Sequence, residues 1–267
     1  MPSIKAKSLL QTELNHWDNV QRSGRYFACR EKFAAAHRQC MADKEGQEKT
    51  LVSIGLKSGL FRDQYVEAFF DFRAKARKTW RVLEIGAGYG GYAPIIAPYV
   101  KTYIGTDISG YIVTKGNMAL VEVGLDNAAL IHTPDSDLIN ALGPDARFEF
   151  IFASGVFIHL PVEIARGYLE QVSRLLTPKG KFMVHLNLFD EVPADNSWEP
   201  AYEARKSHRM RYGYRGFQQL FENSGLEIEK QMGIILKDQD FHAHYVYGGL
   251  APKVEPEQTI IMEESDE

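Results

Sequence analysis

The chain has 267 residues, 45% hydrophobic and 25% charged, enough for one large packed domain or a domain with an extension. Its formal net charge of −4 argues against a dedicated nucleic-acid binder, which would show a strong basic footprint. Two cysteines, Cys29 and Cys40, with no C-x-x-C pair suggest neither a disulfide framework nor zinc, and the absence of an apolar leader or an 18-residue apolar run predicts a cytoplasmic chain that does not enter a membrane.

Residues 1–79 read as a helical extension or cap. "YFACREKFAAAHRQCMA" (26–42) and "LFRDQYVEAFFDFRAKARK" (60–78) repeat apolar residues at three- and four-residue spacing. The aromatic content of the second, Phe61, Tyr65, Phe69, Phe70 and Phe72, suggests a cover over a substrate pocket.

From residue 80 to 252 the period changes. "RVLEI" (81–85), "TYIGTD" (102–107), "AALIHT" (128–133), "FEFIFAS" (148–154) and "KFMVHLNL" (181–188) are expected strands. "GYIVTKGNMALVEVG" (110–124) and "PVEIARGYLEQVSRLLT" (161–177) are expected helices, the second with a buried stripe of Ile164, Tyr168, Val172 and Leu176. Pro161 suits a first turn, and "TPKGK" (177–181) is the stop signal. Such alternation predicts a parallel sheet covered on both faces. Strands 226–236 and 244–252 leave no room for a crossover helix, so they must pair antiparallel. The acidic segment 253–267 is expected to be disordered.

The turn after the first strand reads "LEIGAGYGG". Gly86, Gly88 and Gly91 satisfy G-x-G-x-x-G, the dinucleotide fingerprint, while Glu84, Gly86, Gly88 and Gly90 satisfy [DE]-x-G-x-G-x-G. Either way the glycines let a cofactor approach the main chain at a helix N-terminus. Asp107, ending the second strand, can accept from both hydroxyls of a ribose. Glu84 separates the two templates. A carboxylate inside the strand repels a pyrophosphate and suits a cofactor carrying an ammonium and a sulfonium.

Five segments in order carry a resemblance. "VLEIGAGYGG", "YIGTDIS", "LIHTPDSDL", "FEFIFASGVFIHLP" and "LLTPKGKFMV" resemble successive motifs of class I S-adenosylmethionine (SAM) methyltransferases, over about residues 80–252. The resemblance implies an α/β, Rossmann-like sheet of seven strands with an antiparallel last strand, following the N-terminal helical extension, and SAM as cofactor. Carried over, Glu84, Gly86, Gly88 and Gly90 would face the methionine part and Asp107 the ribose. Ile108 would flank the adenine, Asp135 and Ser136 would reach its edge, and Ser154 would line the site after the fourth strand. Asp137 competes with Asp135 for the adenine role, and helix capping over 136–142 competes for both.

A hydroxyl acceptor would need a base, whereas an amine with a free lone pair need not. His159, in "SGVFIHLP", follows the fourth strand on the edge toward which the methyl should point; its rival role is to cap the next helix. His185 shares a strand face with Asn187, which fits a hydrogen-bonded structural role as well as catalysis. Asp238, Asp240, His242 and His244 alternate and could hold a cation, but a solvated loop is the commoner outcome, and no metal site is expected. "ARKSHRMRYGYR" (204–215) carries Arg205, Lys206, Arg209, Arg211 and Arg215, as a solvated face or as a grip on an acceptor's phosphate or carboxylate. Within the family, the chain most resembles bacterial sugar O-methyltransferases. The expected partner is therefore a small-molecule acceptor, not nucleic acid or membrane. Amine N-methylation, a catalytically silent SAM-binding module and a nicotinamide dehydrogenase are the competing functions.

Overall fold

The structure is a computed structural model, and it describes residue 11 and residues 72–189, 212–235 and 242–252. Strands β1 (Arg81–Ile85), β2 (Thr102–Asp107), β3 (Ala128–His132), β4 (Phe148–Ala153) and β5 (Leu176–Phe189) run parallel. A two-residue β6 (Tyr212–Gly213) pairs with the end of β5. β7 (Leu226–Ile235) and β8 (His242–Leu250) complete the sheet in the order β3-β2-β1-β4-β5-β8-β7. β8 lies between β5 and β7 and is antiparallel to both. The expected Rossmann-like sheet of seven strands with its antiparallel hairpin is therefore present, and β6 adds a short eighth strand that the sequence did not announce.

The helices are α1 (Phe72–Lys75), α2 (Ala93–Ile96), α3 (Gly110–Glu122), α4 (Leu138–Leu142), α5 (Val162–Leu175) and α6 (Tyr214–Asn223). Alternation along the strands builds a core on each face of the sheet. Leu83, Ile85, Ile151, Phe182 and Val184 meet α5 and α6 through Tyr168, Leu169, Phe217 and Phe221. Val82, Tyr103, Phe150, Phe152 and Met183 meet α2 and α3 through Ala93, Ile96, Val113 and Leu120. Phe72 joins this second core, its ring 5.7 Å from that of Phe150 and 6.4 Å from that of Trp80. It is the inner end of the expected N-terminal extension. The rest of residues 1–71, apart from residue 11, lies outside the described residues, as does the tail from residue 253.

The largest departure from the expected boundaries lies at the end of α5. Residues 177–181 were to end a helix, with the strand starting at 181; instead α5 stops at Leu175 and β5 starts at once. Leu176 pairs with Phe148 and Lys181 with Phe150, so four residues bulge opposite one. Gly180 permits it, because a Cβ there would stand 2.9 Å from the Phe148 carbonyl oxygen. Pro161 also sits one place earlier than expected, at the N-cap of α5. Among the described residues no helix is long and apolar enough to cross a membrane.

Three buried tyrosines make the fold sensitive to alkali. Burial, with the Glu84 charge adding to it, holds the Tyr103 hydroxyl well above its usual range. Burial lifts Tyr168 to about 12, and Tyr212 higher still. In the unfolded chain these groups ionise near pH ~10. The stability they confer is present in full below that pH and is lost as pH rises toward the folded values. Three such groups give a slope of roughly 4 kcal/mol per pH unit. Against a total of about 5–15 kcal/mol, denaturant titrations should show unfolding within about one to four pH units above the onset, together with a rise in tyrosinate absorbance. A stability unchanged well above that onset would contradict the burial of these hydroxyls.

Candidate active site

The turn from β1 to α2 decides between the two glycine templates. Gly86, Gly88 and Gly90 have φ of 67°, 57° and 80°, in the left-handed region that disfavours a side chain. Gly91 has no positive φ, and a Cβ there would meet nothing within 4 Å. The third glycine of a dinucleotide fingerprint is needed for close helix–strand packing, and Gly91 makes no such approach. The glycines that the backbone demands are the alternate set that follows Glu84.

Above the turn there is room for a ligand. A Cβ on Gly88 would also meet nothing within 4 Å, so main chain at this point is open to approach. On the other side, a Cβ on Gly86 would lie 2.3 Å from Cγ2 of Val156. The loop after β4 thus packs directly onto the glycine turn.

Asp107 ties β2 to that turn. Its Oδ2 accepts from the Gly88 N–H at 3.0 Å and its Oδ1 from the Ser109 N–H at 2.9 Å. Both of its oxygens are thereby engaged with main chain. Ser109 in turn caps α3, accepting from the Ile112 N–H at 3.4 Å. Ile108 is half-buried between them. Its carbonyl lies 3.0 Å from Nε2 of His132, a residue the sequence reading passed over.

The loop after β3 is held in an uncommon shape. Ser136 is buried and has φ of 57°, the one non-glycine residue with positive φ among the described residues. Gln171 on α5 stabilises it: Nε2 donates to the Ser136 carbonyl at 3.0 Å, and Oε1 accepts from Leu138 N–H at 2.6 Å and Ile139 N–H at 3.2 Å. Asp137 accepts from the Asn140 N–H at 2.9 Å, so it caps α4, the role foreseen as its alternative to binding adenine. Asp135 is exposed at the same loop. Tyr168 feels the Asp107 charge, which raises its hydroxyl slightly further, while the Ser136 hydroxyl partly offsets the burial.

Beneath the glycines lies a buried polar layer. Glu84 is 2% exposed and accepts a hydrogen bond from the Tyr103 hydroxyl through Oε2. Ser154, also buried, is 3.2 Å from the Tyr92 hydroxyl. Two tyrosines thus support a carboxylate and a serine that the sequence singled out. Neither was legible from motif spacing, because a tyrosine in an apolar run reads as core.

His159 is half-buried in a 3-10 turn (Phe157–His159) that follows Val156, to whose carbonyl its N–H donates at 2.9 Å. Tyr212 on β6 fixes this turn, its single hydroxyl donor lying 2.6 Å from the Leu160 carbonyl oxygen and 3.0 Å from that of Phe157. His185 is half-buried on β5, on the Met183 face, one residue past Val184, which pairs with Ala153. It therefore stands beside the strand end that carries Ser154. The backbone of Asn187 lies in the same strand. His242 and His244 pair in β8 with Leu188 and Leu186. Asp238, Asp240 and the basic residues Arg205, Lys206, Arg209 and Arg211 lie outside the described residues, and among those described no cluster of metal ligands occurs.

Residues 30–231 match a family model described as a methyltransferase domain. A 2-heptyl-1-hydroxyquinolin-4(1H)-one methyltransferase from Mycobacteroides abscessus is 29% identical over 103 residues, covering 39% of this chain and 44% of that protein. The alignment thus spans less than half of this relative. Among solved structures, the geranyl diphosphate C-methyltransferase of Streptomyces coelicolor A3(2) superposes with a TM-score of 0.57 at 13% identity, over 80% of this chain and 86% of that one. The YcgJ protein of Bacillus subtilis gives 0.54 at 20%, over 67% and 95%. The [4+2]-cyclase SpnF gives 0.56 at 14%, over 71% and 81%. At such identities these structures establish the fold alone, and a cyclase among them illustrates why chemistry must be argued from the site.

Proposed function

Because the chain belongs to the methyltransferase-domain family and takes S-adenosylmethionine as its cofactor, we propose that it methylates a hydroxyl of a sugar or other small polar metabolite. The observation that carries this reading is an imidazole, His159, on the turn whose Val156 lies against Gly86. When bound, the cofactor supplies an electrophilic methyl group on a sulfonium. The chain's own part is to orient and to move a proton. The open main chain at Gly88 would take the amino-acid end and the Asp107 carboxylate the nucleoside end, which would leave the methyl group to face an acceptor. An alcohol stays protonated at neutral pH, and a base beside it must take that proton as the new carbon–oxygen bond forms. His159 is assigned that role, with His185 as the alternative. Glu84, Gly86, Gly88, Gly90, Asp107, Ile108, Asp135, Ser136 and Ser154 are assigned to the cofactor.

The acceptor class rests on chemistry rather than on relatives. The basic stretch 204–215 favours an acceptor with a phosphate or carboxylate. A second reading draws on the quinolone methyltransferase, whose named substrate also carries a hydroxy group. It makes the acceptor a hydroxylated aromatic heterocycle and leaves the base unchanged. The test is a mass-spectrometric screen with methyl-labelled SAM and a panel of sugars, nucleotide sugars, hydroxyquinolones and amines. Label on oxygen is the expected result. Label on nitrogen or carbon alone would overturn the hydroxyl reading, and cofactor binding with no product from the full panel would favour a silent SAM-binding module.

A further inference from the structure

Tyr103 and Glu84 occupy neighbouring strands in a register that does not bring them level. Across β1 and β2, Val82 pairs with Tyr103 and Glu84 with Gly105. Tyr103 and Gly105 share a face of β2, so the tyrosine ring must run along the sheet, over Gly105, to reach the carboxylate. At Gly105 the tyrosine is in ordinary contact distance, and the close approaches are to other side chains. A Cβ there would stand 3.5 Å from the Tyr103 hydroxyl and only 2.5 Å from Ala87 Cβ and from Leu130 Cδ2. Both partners are buried, Tyr103 fully and Glu84 to within 2%. The hydroxyl donates to Oε2 of Glu84, which lies two residues before Gly86.

We propose that Tyr103 is a positioning residue that fixes the Glu84 carboxylate to recognise the ammonium of the cofactor's methionine part. The proposal rests on Glu84 facing that part of the cofactor. A glutamate has several rotamers, and a carboxylate turned away from the turn contributes no ion pair. Locking Oε2 by a tyrosine hydroxyl selects one of them. A carboxylate offers about four acceptor positions, so the tyrosine bond does not by itself exclude an ammonium. A preoriented charge also spares the cost of immobilising it when ligand arrives. Burial makes the selection strong, since a displaced carboxylate would find no water in the core.

The experiment is calorimetric binding of S-adenosylhomocysteine and of its deaminated analogue, which lacks only the α-amino group, to the wild type, Tyr103→Phe, Glu84→Gln and the double variant. Tyr103→Phe retains the ring, so packing is conserved. It should lower affinity for S-adenosylhomocysteine by roughly 5–20-fold while leaving the deaminated ligand within about two-fold. Glu84→Gln should show the same selectivity, and adding Tyr103→Phe to it should cost little more for either ligand. Equal losses for both ligands, or no loss for either, overturns the proposal, because a purely structural tyrosine does not sense an amino group. If Tyr103→Phe does not fold, Tyr103→Met takes its place: the same selective loss of S-adenosylhomocysteine over its deaminated analogue is expected, and an unselective loss, or none, overturns the proposal even where Glu84→Gln is selective. A wild type that binds neither ligand would remove the cofactor reading, and is distinguishable because it needs no variant.

Discussion

Replacing Asp107 by alanine should weaken binding of SAM and of its demethylated product by roughly 5–150-fold, or about 1–3 kcal/mol. Two effects add. The ribose loses a charged acceptor. The Gly88 and Ser109 N–H groups, now held at 3.0 and 2.9 Å by the two carboxylate oxygens, lose their partner as well. The glycine turn and the start of α3 then lose their common tie, so the pocket is less well formed before ligand arrives. Asp107→Asn should be nearly as damaging. Its amide nitrogen must face one of the two N–H donors, and a donor against a donor leaves both unsatisfied. Calorimetry on the folded variants checks this. Wild-type affinity in either variant would remove Asp107 from the ribose.

Asp107 was legible in the sequence because strand end, glycine turn and acidic residue follow one another at fixed spacing. The same holds for β1, β2 and α3, whose apolar periods reproduce their boundaries to within two residues. What the sequence hid falls into two kinds. One is the support beneath the motifs: Tyr103, Tyr92, Gln171 and Tyr212 act through hydrogen bonds between segments 19 to 62 residues apart. No local period records such a link. The other kind is irregular strand geometry. The bulge at 177–180 combines a proline, a lysine and a glycine, a composition that reads as a stop when the partner strand is unknown. The choice between Asp135 and Asp137 was open for a related reason. A cap and a ligand both need a short acidic residue before a helix, and the hydrogen bond to the Asn140 N–H assigns the cap to Asp137.

His159→Ala should lower kcat by about 10²–10⁴-fold if the acceptor is a hydroxyl, the range that a positioned general base supplies. The substitution is well suited to the test. His159 is only half-buried, and Tyr212 and the Val156 carbonyl hold the turn through main-chain groups that alanine retains. The turn should keep its shape, and affinity for SAM should change little. In the wild type the rate should rise with pH through the titration of an imidazole in the complex, because only the neutral ring accepts a proton. That rise should vanish in the variant. An amine acceptor would behave otherwise: the profile would follow the amine's own ionisation, and the variant would lose little. Full activity in His159→Ala with a hydroxyl acceptor would move the base elsewhere. His185 is the next position to test, since it stands beside the strand end that carries Ser154.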